Sequence, residues 1–240
     1  MQINWEGVMP AVTTKFTAED KLDLDLFEVN IKAQLDAGVH GIVLGGTLGE
    51  ASTLTDEEKS TLTRKTVEIV AGSVPVMMNI AEQTTKGAIA AAKQAEEDGA
   101  AGLMMLPPMR YKASDREVVA YFKAVAQSTS LPIMVYNNPV DYKIEVTLDM
   151  FEELLEEPNI QAVKESTRDI IASEEPNTFW VCHGYKGVFK IKINDNYNHV
   201  FSIDHYTDTN GFESPFNINV FKWEGEIVFT SNTGIYRYNN

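Results

Sequence analysis

Lys164 closes the apolar run Ile160-Gln161-Ala162-Val163 and is followed by Glu165-Ser166. An amine at the end of a buried strand is partly desolvated, which disfavours its charged form. A neutral amine can attack a ketone and form a Schiff base. Taken alone, the stretch also fits a lysine that ends a strand and extends its head into water. Two further polar stretches end apolar runs. Gly45-Gly46-Thr47-Leu48-Gly49-Glu50 sets glycines, which let backbone N–H groups approach an anion, beside the hydroxyl of Thr47. Tyr136-Asn137-Asn138-Pro139 sets a phenol where it can donate and accept a proton near a carbonyl carbon. Each has a structural alternative, a glycine-rich turn or an aromatic closing a barrel layer. Together with Lys164 they are harder to assign to packing.

A repeated strand–helix frame must position these side chains. Strands are expected at Val8–Val12, Gly41–Gly45, Val74–Ile80, Ala101–Leu106, Pro132–Asn137 and Ile160–Lys164. Their starts fall roughly 30 residues apart, the size of one βα unit. The runs are continuously apolar rather than alternating, which indicates a parallel sheet covered on both faces. Between them, Leu24 to Ala37 carries Leu26, Val29, Ile31, Ala33 and Leu35 at helical spacing, and Gly38 ends it. Thr55 with Glu58, and Ser114 with Glu117, are capping boxes that open helices. Thr147 caps another helix, which Pro158 stops. An open doubly wound sheet and a (β/α)8 barrel both fit this rhythm. The barrel is preferred because no GxGxxG or phosphate-binding loop follows any strand. Barrel sites sit at the C-terminal ends of strands, where Thr47, Tyr136 and Lys164 fall.

Composition narrows the function. The net charge of -15 argues against nucleic acid or an anionic membrane as partner and suits small-molecule chemistry. Cys182 is the only cysteine, so neither an internal disulfide nor a cysteine metal cluster is expected. His40, His183, His199 and His205 lack metal-ligand spacing. No apolar run is long enough to span a bilayer. The N-terminus lacks a basic region followed by an apolar one, so no signal peptide is expected and the cytoplasm is the expected location.

Residues 1 to about 169 resemble the dihydrodipicolinate synthase/N-acetylneuraminate lyase superfamily of Schiff-base aldolases. The resemblance rests on Gly46-Thr47-Leu48-Gly49-Glu50, on Tyr136-Asn137-Asn138-Pro139 and on Val163-Lys164-Glu165-Ser166, in that order. It implies a (β/α)8 barrel, usually tetrameric, with no metal or organic cofactor, so self-association is expected. It implies an imine between Lys164 and pyruvate or a related 2-oxo acid. Tyr136 would shuttle protons, Thr47 would orient Tyr136, and the backbone at Gly46, Thr47 and Leu48 would hold the substrate carboxylate. Three positions depart from the pattern. Leu48 replaces a second hydroxyl residue. Met109-Arg110 stands where the lysine-pathway synthases carry an aromatic pair, and Asp141 follows the Tyr-Asn-x-Pro motif where they carry an arginine. An aspartate there would repel the second carboxylate of an aspartate-semialdehyde adduct. A sugar-acid aldolase or dehydratase, or a deaminase of a hydroxyproline-derived imine, therefore fits better than lysine biosynthesis.

After Lys164 the family pattern calls for two more βα units, and the rhythm changes instead. Val188-Phe189-Lys190-Ile191-Lys192-Ile193 and Val200-Phe201-Ser202-Ile203 read as antiparallel strands. Trp180-Val181 through Gly187-Val188-Phe189-Lys190 recurs, 47 residues on, as Ile227-Val228 through Gly234-Ile235-Tyr236-Arg237. That period lies in the range of propeller blades. Residues 170–240 resemble a fragment of two-component regulator propellers. The expected organisation is an incomplete (β/α)8 TIM barrel of about six βα units over 1–169, then a β-propeller-like antiparallel meander over 170–240. A sensory module, and a chimera from a recombined or mis-joined frame with little or no turnover, are the alternatives to an active lyase.

Overall fold

The computed structural model describes residues 3–166, 169–173, 175–183, 186–196, 199–214 and 218–238. Met1, Gln2 and Glu174, which entered the expectations for the N-terminus and the junction, lie outside the described residues. The chain divides into two compact units, Met1–Glu165 and Ser166–Asn240.

The first unit runs α1 (Leu24–Asp36), β1 (Ile42–Leu44), α2 (Asp56–Val70), β2 (Val76–Ile80), α3 (Thr85–Glu97), β3 (Gly102–Met105), α4 (Asp115–Ala126), β4 (Ile133–Asn137), the one-turn α5 (Pro139–Tyr142), α6 (Leu148–Leu154) and β5 (Ile160–Glu165). Helix starts follow side-chain chemistry. At α2, Thr55 Oγ1 accepts from the Glu58 amide at 3.2 Å, and the Glu58 carboxylate accepts from the Thr55 amide at 2.8 Å. Ser114 and Glu117 repeat this at α4, and Thr147 caps α6. Gly99, just past α3, has φ +87, a conformation that costs an L side chain energy.

The five strands pair in parallel in chain order, β1-β2-β3-β4-β5. A doubly wound sheet reverses its strand order at a switch point. This sheet does not, so it is the wall of a partial TIM barrel. The helix-bearing face buries Phe27, Ile31, Ile80, Leu103, Phe122, Ile133 and Leu154 in one core. Each such side chain contributes about 1.5–3 kcal/mol by leaving water. The opposite face carries a smaller cluster, Ile3, Val43, Met77 and Met104, with Met134 and Tyr136 against it.

Three details differ from the sequence expectations. The Val8–Val12 strand forms no ladder. It touches β1 through one parallel bridge, Ala11 to Val43. The Pro10 carbonyl accepts from Val43 at 2.9 Å and Val12 donates back to the Val43 carbonyl at 3.0 Å, but proline has no N–H with which to extend the ladder beyond this bridge. β5 is not covered on both faces. It is the edge of its sheet, and Val163, on the helix-bearing side, is 46% exposed because no helix follows β5 within this unit. On α1 the buried residues are Phe27 and Ile31, while Leu26 and Val29 face water.

The second unit is built of antiparallel sheets. β6 (Asp169–Ala172), β7 (Thr178–His183), β8 (Gly187–Ile193) and β9 (Val200–Tyr206) form a four-stranded meander. β10 (Asn219–Trp223), β11 (Glu226–Thr230) and β12 (Ile235–Arg237) form a three-stranded one. Trp180, Cys182, Val188, Ile218, Val220 and Phe229 make a shared core. The hairpins β7–β8 and β11–β12, which carry the 47-residue repeat, pair one residue out of register with each other. A one-residue shift exchanges the faces of a strand, so the sequence repeat is not an identical structural repeat.

Candidate active site

β4 and β5 bring the phenol and the amine together. Tyr136 pairs with Lys164 in the parallel ladder, so both side chains leave the same face of the sheet near its C-terminal end. The Lys164 Nζ lies 3.9 Å from the centre of the Tyr136 ring, a cation–π arrangement. Both side chains are half-buried.

The chain after Tyr136 folds back to support it. Asn137 is buried; its Nδ2 donates to Glu165 at 2.7 Å and to the Val146 carbonyl at 3.2 Å, and its Oδ1 accepts from the Val146 amide at 2.9 Å. Asn138, 2% exposed, caps α5 by accepting from the Asp141 amide at 3.2 Å. Its Nδ2 donates to the Tyr136 hydroxyl at 3.2 Å and to the Asp141 carboxylate at 2.8 Å. Pro139 fits the first turn of α5, where no N–H is needed.

The glycine-rich turn sits at the end of β1. Gly45 has φ +63, and a Cβ there would meet the Met78 methyl at 2.7 Å, so the position demands glycine. Asn79 Nδ2 donates to the Gly45 carbonyl at 2.7 Å, and Thr14 Oγ1 donates to the Gly49 carbonyl at 2.6 Å. Thr47–Gly49 form a single 3-10 turn, which leaves the Thr47 and Leu48 amides without an intrahelical acceptor. The Leu48 side chain is 73% exposed.

The expected link from Thr47 to Tyr136 takes a different form. Among the described residues, the Thr47 hydroxyl shares its hydrogen bond with Tyr142, at 2.9 Å. The Tyr142 ring meets Tyr136 edge-to-face, with centroids 5.6 Å apart and planes at 85°. Partial burial raises the Tyr142 phenol above the usual tyrosine value. The Thr47 hydrogen bond opposes this, and Tyr136 and Asp141 add to the rise. Sequence reasoning passed over Tyr142. Its only signal is that it lies one helical turn past Asn138. A cavity of about 610 Å³ is lined by Thr47, Asn79, Glu82, Met109 and Tyr142 among others; Lys164 and Tyr136 are not in its wall.

Among the described residues, no group of three or more His, Cys, Asp or Glu is placed to hold a metal ion. No helix of the described chain is long and apolar enough to cross a membrane.

Comparison with known proteins places this geometry in context. The profile described as the dihydrodipicolinate synthetase family matches residues 4–189, ending inside β8 and so beyond the expected boundary at 169. A 4-hydroxy-tetrahydrodipicolinate synthase of Exiguobacterium sibiricum is 39% identical over 166 residues, which are 69% of this chain and 57% of that relative. One from Bacillus velezensis is 35% identical over 191 residues, 78% of this chain and 66% of the relative. The chain thus spans little more than half to about two thirds of the curated relatives it matches. Among solved structures, dihydrodipicolinate synthase DapA-2 of Bacillus anthracis superposes with a TM-score of 0.67 at 34% identity, over 70% of this chain and 57% of that one. YagE, a prophage protein of E. coli K12 solved in complex with pyruvate, gives a TM-score of 0.64 at 30% identity, over 67% and 54%.

Proposed function

Because the chain belongs to the dihydrodipicolinate synthetase family, we propose that it is a Schiff-base-forming lyase of the aldolase, dehydratase or deaminase type. Its substrate is pyruvate or a related 2-oxo acid. The observation that carries this reading is the Lys164 amine resting on the Tyr136 ring at neighbouring strand ends. Lys164 adds to the C2 carbonyl, and the carbonyl oxygen leaves as water with the two amine hydrogens. Tyr136 lends a proton to that oxygen and recovers one from the adduct. Loss of a C3 proton from the imine then gives the enamine used in lyase chemistry. The Thr47 and Leu48 amides, with Gly46 before them, hold the substrate carboxylate. No metal or organic cofactor enters these steps. Self-association and a cytoplasmic location are part of the same proposal.

A 4-hydroxy-tetrahydrodipicolinate synthase activity fits this site less well. Asp141 stands beside Asn138, and its charge opposes a second carboxylate next to Tyr136. A sugar acid or a hydroxylated imine suits this wall better.

The test is reduction with borohydride in the presence of pyruvate, followed by peptide mass mapping. A pyruvyl adduct on Lys164, absent from Lys164→Ala, is the expected result. A folded protein that gives no adduct overturns the reading.

A second reading concerns the Ser166–Asn240 unit alone. The four-stranded meander β6–β9 has the strand number of a propeller blade, which supports descent from a regulator propeller. Joining to the barrel by recombination or a mis-joined frame would follow. Sequencing the transcript across codons 165–180 tests the mis-join, and a continuous expressed frame would exclude it.

A further inference from the structure

We propose that Asn79 is a specificity-determining residue whose Oδ1 accepts a hydrogen bond from a hydroxyl group on the carbon chain of the 2-oxo acid. The inference deepens the Schiff-base reading and rests on it. Asn79 stands near the end of β2 and is 6% exposed. Its Nδ2 donates to the Gly45 carbonyl at 2.7 Å. A carbonyl only accepts, so the amide nitrogen must face Gly45 and the amide cannot be turned over. Asn79 Oδ1 is the one buried side-chain polar atom among the described residues that has no hydrogen-bond partner. Such an atom is costly to a fold and calls for a reason.

The sheet sets this acceptor on the face that carries the chemistry. Asn79 pairs with Met104, and Met104 with Met134, in the parallel ladders. Tyr136 lies two residues beyond Met134 and pairs with Lys164. Direct partners share a face, and so do residues two apart on a strand. Asn79, Tyr136 and Lys164 thus leave the same side of the sheet. Met77, two residues back, and Met104, opposite, carry no side-chain N–H or O–H. The Trp5 indole, which packs against the same cluster, donates to Gln161 at 3.2 Å. Gly45, to which Asn79 is tied, leads directly into the Gly46-Thr47-Leu48 turn that would hold the substrate carboxylate. Asn79 and Thr47 also share one cavity wall. An acid held at that turn and joined to Lys164 through C2 extends its remaining carbons over this face. Its carboxylate and ketone oxygens only accept and cannot pair with Oδ1, whereas a hydroxyl donates and completes the amide.

The experiment is borohydride trapping on Lys164 of the full chain, read by peptide mass mapping. The matched acids are 2-oxobutanoate and 4-hydroxy-2-oxobutanoate. A pyruvyl adduct left by carbon–carbon cleavage of the hydroxy acid counts as trapping of that acid. The parent should half-saturate with the hydroxy acid at roughly tenfold lower concentration. Asn79→Leu keeps the size and removes the acceptor, and should bring the two acids within about twofold of each other. Asn79→Asp keeps an acceptor oxygen and should keep the preference. Both acids share the carboxylate hold, so a general disturbance of the Gly45 turn moves them together and leaves their ratio unchanged. Equal trapping in the parent overturns the inference, since Oδ1 is then met by water alone. A preference that survives in Asn79→Leu, or is lost in Asn79→Asp, also overturns it. In each case pyruvate trapped on Lys164 leaves the lyase reading standing, and no trapping of pyruvate by the parent overturns both. Should the variants fail to fold, 4-methoxy-2-oxobutanoate decides the matter on the parent. Its ether oxygen has no hydrogen to donate, so it should be trapped no better than 2-oxobutanoate. Trapping equal to that of the hydroxy acid overturns the inference.

Discussion

Lys164 and Tyr136 are direct partners across the β4–β5 ladder, and the amine lies 3.9 Å from the centre of the ring. In the proposed chemistry the ring face and the hydroxyl would do separable things, one holding the amine and the other moving protons. Tyr136→Phe keeps the first and removes the second. Trapping of pyruvate on Lys164 should persist, while methyl exchange should fall by about 10²–10⁴. Tyr136→Leu should impair both, as mass mapping and proton NMR would show.

Asp141 should govern which acids enter. Its carboxylate is held by Asn138 at 2.8 Å, so it cannot swing freely away. Opposite charges 4 Å apart gain about 1–4 kcal/mol between aqueous and surface-like surroundings. Asp141→Arg should therefore make a dicarboxylate such as 2-oxoglutarate compete with pyruvate for trapping at roughly tenfold lower concentration. Competition curves read by adduct yield would check it, and an unchanged curve would remove Asp141 from substrate selection.

Acid sensitivity should trace in part to Glu28, which joins α1 to α2. It pairs with Lys32 at 2.6 Å and with Lys65 at 2.7 Å. The hydrogen bond from Lys32, then that from Lys65, lowers its carboxyl from 4.5 to about 2. The folded value lies below the unfolded one. The stabilisation is therefore complete above about 4.5 and drains away as pH falls toward about 2. Glu28→Gln should be less stable than the parent at neutral pH and converge with it in acid. Urea midpoints measured across that range would show the convergence, and added salt should narrow the neutral-pH gap.

The second unit should depend on Trp180. Its ring is 2% exposed and meets Tyr206, Phe229 and Tyr238 with centroids 5.6, 5.0 and 4.8 Å away. The Lys190 ammonium lies 5.4 Å from it and pairs with Glu175 at 2.6 Å. Trp180→Ala should cost about 3–5 kcal/mol and abolish the near-ultraviolet dichroism of this aromatic cluster. A variant that keeps that signal would mean the core does not turn on this residue.

The strand–helix rhythm was legible because burial imposes it on sequence directly. Apolar runs mark β1 to β5, and Thr55, Ser114 and Thr147 mark helix starts by local chemistry alone. Expectation went astray where a neighbour decides the outcome. Pro10 looks like part of a strand until the missing donor is counted against β1. Val163 looks covered until β5 proves to be an edge. Val29 has the right spacing on α1 but faces water. At the site, Lys164 and Tyr136 were visible as strand-end residues. Tyr142 was not, since nothing in a sequence reveals that one turn after Pro139 swings a second phenol against Thr47.

The four-residue helix Pro139–Tyr142 carries an anion and a phenol on a single coil of backbone, pinned by one amide side chain. Selectivity and speed would thus share a hinge pin. A variant selected for a new acceptor at Asp141 would disturb Asn138, and through it the timing of hydrogen transfer, so that substrate range and rate would be inherited together.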